Sequence, residues 1–527
     1  MVSRGGSPAV RESSGFAPAF RAACQSPRQS LIRRGDAAAP RVHHPTSMTA
    51  LSFFWHDYET FGRVPRRDRP AQFAGIRTDA ELNEVGPAVM HYCRPAPDSL
   101  PDPESCLLTG IVPQTCMAEG LPEHAFAAAI EAALAQPGTI GVGYNSIRFD
   151  DEVTRHLFWR NLIDPYAREW QNECGRWDLL DVVRATWALR PAGIEWPRHE
   201  DGRASFKLEH LSAANGLLHE AAHDALSDVR ATIALARLIR ARQPRLWEFC
   251  LRLRRKEAVW QEIGVARPFL HLSGMYPLEQ GSMAIVYPLA SHPTNRNELL
   301  VWDLAHDPRE LAGLSAETLR LRMFTRTDEL PEGVARLPIK TIHVNKSPVV
   351  VGNLRTLTDE VRARCNIDVE RALAHAQAAP DIAALMQGAW AEVYLRPERA
   401  GAPDVDEDLY GGFVGNDDRR KLNRLRALSG AELARERAAF DDPRLTELLF
   451  RYRARNFPDS LSAEEAERWV EHCSARLHEG AGGATTLTEF FERIDTLNET
   501  ADERGQEILG ALYDYAEQIA PPLREGA

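Results

Sequence analysis

The sequence lacks the features of a membrane protein, a disulfide scaffold or a zinc site. No apolar run approaches the roughly 20 residues that a bilayer-spanning helix requires. The eight cysteines are scattered without a C-x-x-C pair, so zinc-site spacing and a dense disulfide framework are both absent. We therefore expect a soluble, monomeric protein of the reducing cytoplasm that does not bind membranes.

An excess of positive charge, the usual sign of a nucleic-acid-binding protein, is also missing. The formal net charge is −12 at pH 7, from 63 Lys and Arg against 75 Asp and Glu. Net charge constrains solubility more than it constrains where the basic residues lie. A nucleic-acid ligand is therefore compatible only if Arg and Lys concentrate in one groove of an otherwise acidic surface.

Residues 1–48 contain few acidic residues. The segment has seven arginines, only Glu12 and Asp36 as acids, and many Ala, Ser and Pro. Such a composition does not bury enough apolar surface to fold alone, so we expect a disordered extension. It is also compatible with an organellar transit peptide. We favour the interpretation that translation starts at Met48 and that the preceding residues extend the reading frame upstream.

Residues 49–243 alternate strand-like and helical patterns, which predicts a sheet covered by helices. Leu51-Ser-Phe-Phe-Trp55 is a short apolar run typical of a strand, and Val153 and Leu157 lie on one helix face. Further strands are predicted at 71–77 and 88–92, and further helices at 125–134, 179–187 and 225–240. This region is predicted to be an α/β domain.

The pattern changes after residue 243. Residues 244–398 contain short β-rich runs separated by Pro, Gly and Asn, which are typical of a small barrel-like β domain. No convincing strand follows over residues 399–522, where Leu445, Leu448 and Tyr452 lie on one helix face. Because 527 residues are too many for one core, we predict three domains, which are α/β, β and all-α in that order.

Asp57 and Glu59 form a D-x-E pair directly after the first strand-like run. Residues two apart in a strand point to the same side, so both carboxylates can face one site. Two like charges held together are unfavourable unless a cation neutralises them. Taken alone, however, such a pair is more often two solvated acids at a strand end.

Three further residues complete the set of candidate site residues. Asp150 stands where a loop enters a helix, a position at which Asp is commonly an N-cap. Its neighbour Asp151 is the more natural cap or helix-dipole partner. His223 lies near the start of a strongly helical stretch, and Asp228 follows five residues later inside it. A single His near a helix is usually structural.

The order D-x-E, Asp, His-x4-Asp is similar to that of the DEDDh exonucleases. Four carboxylates suit Mg²⁺ or Mn²⁺ rather than zinc. Two such ions about 3.5–4 Å apart activate a water and neutralise the charge that builds on a phosphate during phosphodiester cleavage. A His with its ordinary pKa of about 6.5 can accept the proton of that water.

Several longer motifs resemble bacterial exonuclease I, and together they extend over about residues 50–520. They are His56-Asp-Tyr-Glu-Thr-Phe-Gly62, Asp68-Arg-Pro-Ala-Gln-Phe-Ala74, Gly143-Tyr-Asn145, Arg148-Phe-Asp-Asp-Glu-Val-Thr-Arg155, Arg176-Trp-Asp-Leu-Leu-Asp181, Ala222-His-Asp-Ala225, His343-Val-Asn-Lys-Ser-Pro348 and Tyr452-Arg-Ala-Arg-Asn-Phe-Pro458. The resemblance implies an RNase H-like exonuclease domain, an SH3-like β domain and a helical C-terminal domain, which is the order already predicted.

The resemblance also implies a reaction, namely processive 3′→5′ release of 5′-mononucleotides from single-stranded DNA in repair and recombination. Asp57, Glu59, Asp150 and Asp228 would hold two Mg²⁺ ions, with Mn²⁺ as an alternative, and His223 would be the general base. Family members also bind the acidic tail of single-stranded DNA-binding protein. Arg190 is a candidate for that surface.

Arginines and aromatic residues are interleaved over residues 155–206, as expected where a single strand is held by cationic contacts and base stacking. Arg155 and Trp159 lie one helical turn apart, on a different side from Val153 and Leu157, and so could project away from the core. With Glu59 as a further substrate contact, the residues that the resemblance indicates are Arg155, Tyr166, Trp170, Arg184, Arg190, Phe206 and Lys207. Weaker candidates are Lys346, Arg453 and Arg455, for which structural ion pairs are an equal alternative.

Two other functions remain open at this point. A DEDDh exoribonuclease would share the carboxylates, although such chains are normally much shorter. A non-catalytic strand-binding scaffold would have lost some of the site, whereas all four carboxylates and the His are present.

Overall fold

The computed structural model describes residues 51–217, 224–395 and 403–521. The predicted extension over residues 1–48 and the predicted base His223 lie outside the described residues. No helix in the described part of the chain is both long enough and apolar enough to cross a bilayer.

The first sheet contains five strands in the order β3-β2-β1-β4-β5. β1 is central, and it pairs antiparallel with β2 and parallel with β4. The strands are β1 Ser52–Thr60, β2 Pro70–Thr78, β3 Val89–Tyr92, β4 Thr139–Gly143 and β5 Gly175–Asp178.

Helices pack on both faces of this sheet. The helices of this part of the chain are α1 Pro103–Thr109, α2 Pro113–Glu119, α3 Glu123–Leu134, α4 Asp150–Arg160, α5 Leu179–Leu189, α6 Leu208–Ala214, α7 Ala225–Arg242, α8 Pro244–Arg252 and α9 Lys256–Ile263. Helix α7 packs on one face and α3 and α4 pack on the other, whereas α9 packs against strand β10 (Val349–Val351) of the second sheet. Phe53 and Trp55 of β1 are in the core that contains α5 and α7, whereas Phe54 and Tyr58 are in the core that contains α3 and α4. A strand buried on both faces has to be apolar in consecutive positions, which explains the run that begins at Leu51.

The second sheet has five antiparallel strands in the order β10-β6-β7-β8-β9. They are β6 Phe269–Leu272, β7 Met283–Ser291, β8 Glu298–Asp303, β9 Ile339–His343 and β10 Val349–Val351. The helices that accompany them are α10 Ala316–Phe324, α11 Asp359–Arg364, α12 Val369–Ala376, α13 Ala379–Met386 and α14 Ala389–Val393. One apolar core continues from Trp177 of β5 to Phe269 of β6 and Trp302 of β8.

Residues 403–521 are helical and contain no strand. The helices are α15 Asn416–Leu425, α16 Gly430–Leu433, α17 Arg444–Asn456, α18 Ala463–Glu479, α19 Leu487–Asn498 and α20 Glu503–Ile519. Helices α1 and α2 pack against α20, so the C-terminal helices lie directly on the first domain. Trp159 also contacts them: it is buried among Leu425 and Leu448, and its Nε1 donates to the carbonyl of Val405 at 2.8 Å. Trp159 thus lies outside the core of the first domain, as expected, but it is not exposed, because the C-terminal helices cover that side of α4.

A buried cluster of ion pairs joins the same two parts of the chain. Arg455 of α17 lies 2.7 Å from Asp98 and also pairs with Asp406. Arg69 contributes from the first domain, 3.4 Å from Asp406 and 3.6 Å from Glu123. The neighbouring arginines hold the pKa of Asp98 and the pKa of Asp406 well below the ordinary range, against the opposing effect of burial. Asp98 and Asp406 therefore remain charged at neutral pH, and removing an arginine partner would leave a buried negative charge poorly compensated.

Candidate metal centre and nucleic-acid interface

Three carboxylates from two elements meet at β1, the central strand of the first sheet. Asp57 and Glu59 alternate along β1 and point to the same side, and Asp228 lies in the first turn of α7, which packs across β1. One carboxylate oxygen from each of the three lies within 4.8 Å of the other two. The predicted convergence of the first strand and a late helix is therefore present.

Burial and mutual repulsion make the charged form of these carboxylates unfavourable. Burial raises the pKa of Asp57 well above its ordinary value, and the neighbouring carboxylates Asp150, Glu59 and Asp228 raise it further. Burial and the same kind of repulsion raise the pKa of Glu59 to about 8. A divalent cation would remove this repulsion, and an all-oxygen donor set fits a hard ion such as Mg²⁺ or Mn²⁺. The residues present therefore fit a metal centre.

Asp150 lies beside this group, but its oxygens are not within it. The carboxylate accepts a hydrogen bond at 3.1 Å from the backbone N–H of Tyr58, the residue between Asp57 and Glu59. Burial raises the pKa of Asp150 well above its ordinary value. Asp150 is the first residue of α4, and Phe149 precedes it at the N-cap position without a side-chain cap. The carboxylate therefore faces β1 instead of capping its own helix.

Two hydroxyl groups hold the start of α4 against β1. The Tyr58 hydroxyl lies 3.0 Å from Oγ1 of Thr154, which donates to the backbone carbonyl of Asp150 at 2.8 Å. Sequence reasoning did not identify Thr154. Its position one helical turn after Asp150 could have identified it, because a Thr four residues after Asp150 can donate a hydrogen bond to the Asp150 backbone carbonyl.

Asp151 does not act as the helix cap that the sequence suggested. Its two oxygens pair with Arg168 at 2.6 Å and with Arg176 at 3.2 Å. These arginines hold the pKa of Asp151 far below its ordinary value although the residue is buried. Asp151 is therefore a structural ion-pair partner between α4 and β5.

Asp224 is a nearby acid that the sequence analysis missed. Its side chain caps α7 by accepting from the N–H of Ser227 at 3.0 Å, and its charge contributes to the raised pKa of Asp57 and of Glu59. An Asp directly before a strongly helical stretch is an N-cap signal, which would have drawn attention to it. The predicted base His223 precedes Asp224 and lies outside the described residues.

Three of the predicted strand contacts lie together beside α4. The Arg155 guanidinium lies over the Tyr166 ring at 5.3 Å from its centroid, and Trp170 follows in the next turn with 66% of its surface exposed. Arg155 itself is buried, and it pairs with Glu152 at 2.7 Å and with both oxygens of Glu169 at 2.7 and 2.9 Å. In this arrangement its charge is already compensated by protein carboxylates.

The other predicted contacts lie on α5 and on the segment before α6. Arg184 pairs with Asp181 at 2.7 Å, and Lys207 is exposed with Nζ 3.2 Å from Glu209. Phe206 packs edge-on against Trp187, with ring centroids 5.3 Å apart. Its carbonyl accepts a hydrogen bond from the Tyr144 hydroxyl, which connects this segment to the loop that leads to Asp150.

Arg190, at the end of α5, forms one edge of a surface cavity of about 520 Å³. Its guanidinium donates to the carbonyl of Leu189 at 2.6 Å and to that of Thr356 at 3.4 Å. Leu246, Phe249 and Val351 supply apolar lining. Arg190 therefore lines a different part of the surface from Arg155, Tyr166 and Trp170, which lie together at α4.

The whole described fold matches one family of nucleases. Residues 54–236 match an exonuclease domain, residues 254–396 the exonuclease I SH3-like domain, and residues 403–519 the exonuclease I C-terminal domain. Exodeoxyribonuclease I of Escherichia coli K12 is 42% identical over 472 residues, which are 89% of this chain and 98% of the relative. The chain belongs to the exonuclease I family. The resemblance and the three-part fold predicted from the sequence are thereby confirmed.

Solved exonuclease I structures agree with this assignment. That of Methylocaldum szegediense has a TM-score of 0.84 at 47% identity, and covers 89% of this chain and 99% of its own. The Escherichia coli enzyme in complex with a dA16 oligonucleotide has a TM-score of 0.84 at 42% identity, and covers 89% of this chain and 100% of its own. Haemophilus influenzae exodeoxyribonuclease I is 42% identical over 474 residues, 88% of this chain and 98% of the relative.

The weaker candidates have structural partners in this exonuclease I chain. Lys346 lies 3.7 Å from Glu152, and burial lowers its pKa. Arg453 pairs with Glu465 at 2.7 Å, and Arg455 belongs to the buried ion cluster. Each side chain thus has a partner within the protein.

Proposed function

We propose that this protein is a metal-dependent 3′→5′ exodeoxyribonuclease that degrades single-stranded DNA processively into 5′-mononucleotides, in DNA repair and recombination. The observation that carries the proposal is the group of three carboxylate oxygens within 4.8 Å, on a fold that the exodeoxyribonuclease I relatives share. The Escherichia coli relative has been solved with a dA16 oligonucleotide, which supports the same substrate class here.

Asp57, Glu59, Asp150 and Asp228 are the proposed metal-holding residues, and we propose a pair of Mg²⁺ ions with Mn²⁺ as a substitute. A zinc-bound form of the Escherichia coli exonuclease I–DNA complex is known, but the all-oxygen donors here favour a harder ion. When bound, such ions would activate a water and neutralise charge on the phosphate. His223 is the proposed acceptor of the proton from that water. Glu59 and Asp150 are buried, whereas Asp57 and Asp228 are partly exposed.

We propose that the strand is held by Arg155, Tyr166, Trp170, Arg184, Phe206 and Lys207, and that Glu59 also contacts the nucleotide at the 3′ end. The exposed indole of Trp170 next to Tyr166 supports base stacking there. Burial and full pairing of Arg155 favour a role in orienting the Tyr166 ring over one in binding a phosphate directly.

We further propose that the acidic tail of single-stranded DNA-binding protein binds the cavity beside Arg190. The cavity combines two arginines, Arg190 and Arg245, with apolar walls from Leu246 and Phe249, which suits an acidic peptide that also carries an apolar side chain. A solved exonuclease I structure similar to this chain is a complex with SSB and an inhibitor. Arg190 is accordingly assigned to the partner in preference to the DNA.

We also propose a cytoplasmic location and domains over residues 49–243, 244–398 and 399–522. The cysteines of the described residues are free, as expected in a reducing compartment. α8 packs against α5 and α7, which favours moving the first boundary to the end of that helix.

A time course on 5′-labelled single strands tests the function. Free 3′ ends of DNA should be shortened stepwise in Mg²⁺, while chelator, a 3′ block or the Asp57→Ala substitution should stop the reaction. Strand binding by Asp57→Ala should remain close to that of the wild type. Faster degradation of an RNA strand would support an exoribonuclease instead, and unchanged cleavage by the variant would refute the site.

A further inference from the structure

Asp178 belongs to the Arg176-Trp-Asp-Leu-Leu-Asp181 motif, yet it lies outside the carboxylate group of the metal centre. It is the last residue of β5 and the N-cap of α5, where its side chain accepts a hydrogen bond from the N–H of Leu180 at 2.9 Å. The residue is buried, with only 6% of its surface exposed. Burying a carboxylate is unfavourable, and capping a helix does not require it. The other contacts of Asp178 show what else it does.

Two backbone N–H groups of the loop between β4 and α4 also bind the Asp178 carboxylate; we call this loop, residues 144–149, the α4 entry loop. Oδ1 accepts from the N–H of Asn145 at 2.9 Å, and Oδ2 accepts from the N–H of Ile147 at 3.2 Å. Asn145 has a φ of 66°, in the left-handed region that residues other than glycine rarely adopt. A loop that contains such a residue keeps one conformation only when its surroundings hold it. Asp178 holds it from the end of β5.

The α4 entry loop in turn fixes the start of α4. The carbonyl of Ser146, which lies between the two bound N–H groups, accepts a hydrogen bond from the N–H of Asp151 at 2.8 Å. The loop also begins directly against β1, because a Cβ added at Gly143 would lie 2.9 Å from the carbonyl oxygen of His56 and 2.7 Å from Cβ of Ser146. The position of Asp150, the first residue of α4, is therefore determined by a loop that has little room to move.

Charge also links Asp178 to the metal centre. Burial and the negative charge of Asp181 raise the pKa of Asp178 to about 7, while the backbone N–H groups favour its ionised form. Its charge contributes to the raised pKa of Asp150, after the larger effects of burial and of Asp151. A carboxylate with negative neighbours is stabilised by a nearby cation. The electrostatic effect of Asp178 on Asp150 and the hold on the loop therefore both favour cation binding.

We propose that Asp178 is a positioning residue of the metal centre: through the α4 entry loop it holds the Asp150 carboxylate beside the D-x-E pair of β1. The inference rests on the proposed function and adds to it a residue outside the four metal-holding carboxylates. Because the loop is already ordered, an arriving ion does not have to order it, which favours tight binding. Loss of a group that orients a metal ligand lowers metal affinity about 10- to 100-fold.

The alternative is that Asp178 only caps α5, and Asp178→Ser separates the two roles. A cap needs the bond to Leu180 alone, whereas positioning needs the bonds to Asn145 and Ile147. Serine is a good N-cap, so the variant keeps the bond to its own helix. Its single oxygen lies one bond closer to the backbone, so the variant loses the bonds to the α4 entry loop.

The affinity of the DNA-free protein for Mn²⁺, measured from the electron paramagnetic resonance signal of the free ion, tests the proposal without cleavage. Asp178→Ser should weaken Mn²⁺ binding about tenfold or more. Asp178→Asn keeps one acceptor oxygen but loses the bond to Ile147, and should show a smaller loss. Asp502→Ala is the matched control: Asp502 caps α20 by accepting from the N–H of Gly505 at 2.8 Å, so this variant should melt earlier but bind Mn²⁺ like the wild type.

A double-mutant cycle with Asp150→Asn shows whether the effect passes through Asp150. In that background Asp178→Ser should weaken Mn²⁺ binding no further, because the carboxylate that the loop positions is already missing. Circular dichroism checks the fold, and Asp178→Asn replaces Asp178→Ser in both experiments if the latter does not fold.

Two results would overturn the inference while the nuclease activity stands. One is Mn²⁺ affinity in Asp178→Ser equal to that in Asp502→Ala, which would leave Asp178 as a helix cap only. The other is a loss that persists in full in the Asp150→Asn background. A wild-type protein that binds no Mn²⁺ and degrades no single strand would instead refute the proposed function.

Discussion

The backbone N–H of Tyr58 donates to the carboxylate of Asp150, 92 residues further along the chain, at 3.1 Å. This bond joins the strand that carries Asp57 and Glu59 to the start of α4. The distance between the two halves of the candidate metal centre therefore depends on how α4 is held, and Thr154 provides that hold through the Tyr58 hydroxyl and the Asp150 carbonyl.

Thr154→Val should raise the Mg²⁺ concentration needed for half-maximal cleavage about tenfold, the loss typical of removing a residue that orients a ligand. Cleavage at saturating Mg²⁺ should fall much less. Titration of activity with Mg²⁺ separates the two. Thr186→Val is the matched control, since this buried Thr bonds only to its own helix at the Val182 carbonyl in the described contacts. An equal shift in both variants would mean a general loss of packing.

The stability of the metal-free protein should fall as pH rises towards about 8. The pKa of Glu59 is raised from 4.5 to about 8 in the folded protein, so from pH 4.5 upward the unfolded chain ionises first and unfolding releases a proton. The stabilisation is complete below pH 4.5 and is lost as pH rises through 8. Melting temperatures in chelator between pH 5 and 9 measure this slope, and Glu59→Gln should reduce it.

Added Mg²⁺ should act in the opposite direction, because an ion that binds only the folded protein stabilises it. The gain in melting temperature should be larger at pH 8 than at pH 5, where the carboxylates hold protons. A gain that is the same at both pH values, or that survives in Glu59→Gln, would contradict the assignment of this site.

Replacing Arg455 should be strongly destabilising. Arg455→Ala would leave Asp98 and Asp406 buried with fewer positive charges, and loss of one partner of such a pair costs about 3–5 kcal/mol. Chemical denaturation measures the free energy of unfolding. Arg420→Ala removes an exposed partner of Asp417 on α15 and should cost less than about 1 kcal/mol. Similar costs for both would show that the buried cluster does not stabilise the domain contact.

Arg190→Ala should weaken binding of a peptide with the acidic tail sequence of single-stranded DNA-binding protein at least tenfold, since a charge-assisted contact contributes about 1.5–3 kcal/mol. Calorimetry with the peptide and anisotropy with DNA measure the two ligands separately. Arg184→Ala, on the same helix, is the control for the peptide. If Arg190→Ala instead loses affinity for DNA and keeps its affinity for the peptide, Arg190 binds the DNA strand and not the partner protein.

The sequence predicted the elements best where local rules decide the structure. Asp57 and Glu59 point to one side because strand geometry requires it, and the apolar run at Phe53–Trp55 indicated a strand, which the structure shows to be buried on both faces. The three domain types followed from periodicity in the same way. The order of the acidic residues, together with a family resemblance, then brought Asp228 to the same site.

Contacts between distant segments were not predictable from such patterns. Helical spacing showed that Trp159 leaves the core of the first domain, but not that α15 and α17 would cover it. Asp151 looked like a cap because its arginine partners lie 17 and 25 residues further on. Asp98 and Arg455 are 357 residues apart, and no sequence pattern indicated that they form an ion pair.

The apolar core that passes from Trp177 into Trp302 has a practical consequence for anyone working with this enzyme. A fragment that ends before the β domain would expose to water the apolar surface of α5 that now packs against β6 and β10. We expect such a fragment to aggregate, and we expect catalytic activity only in a chain that includes the β domain. We therefore expect the exonuclease and β domains to unfold in a single transition, because they share one apolar core.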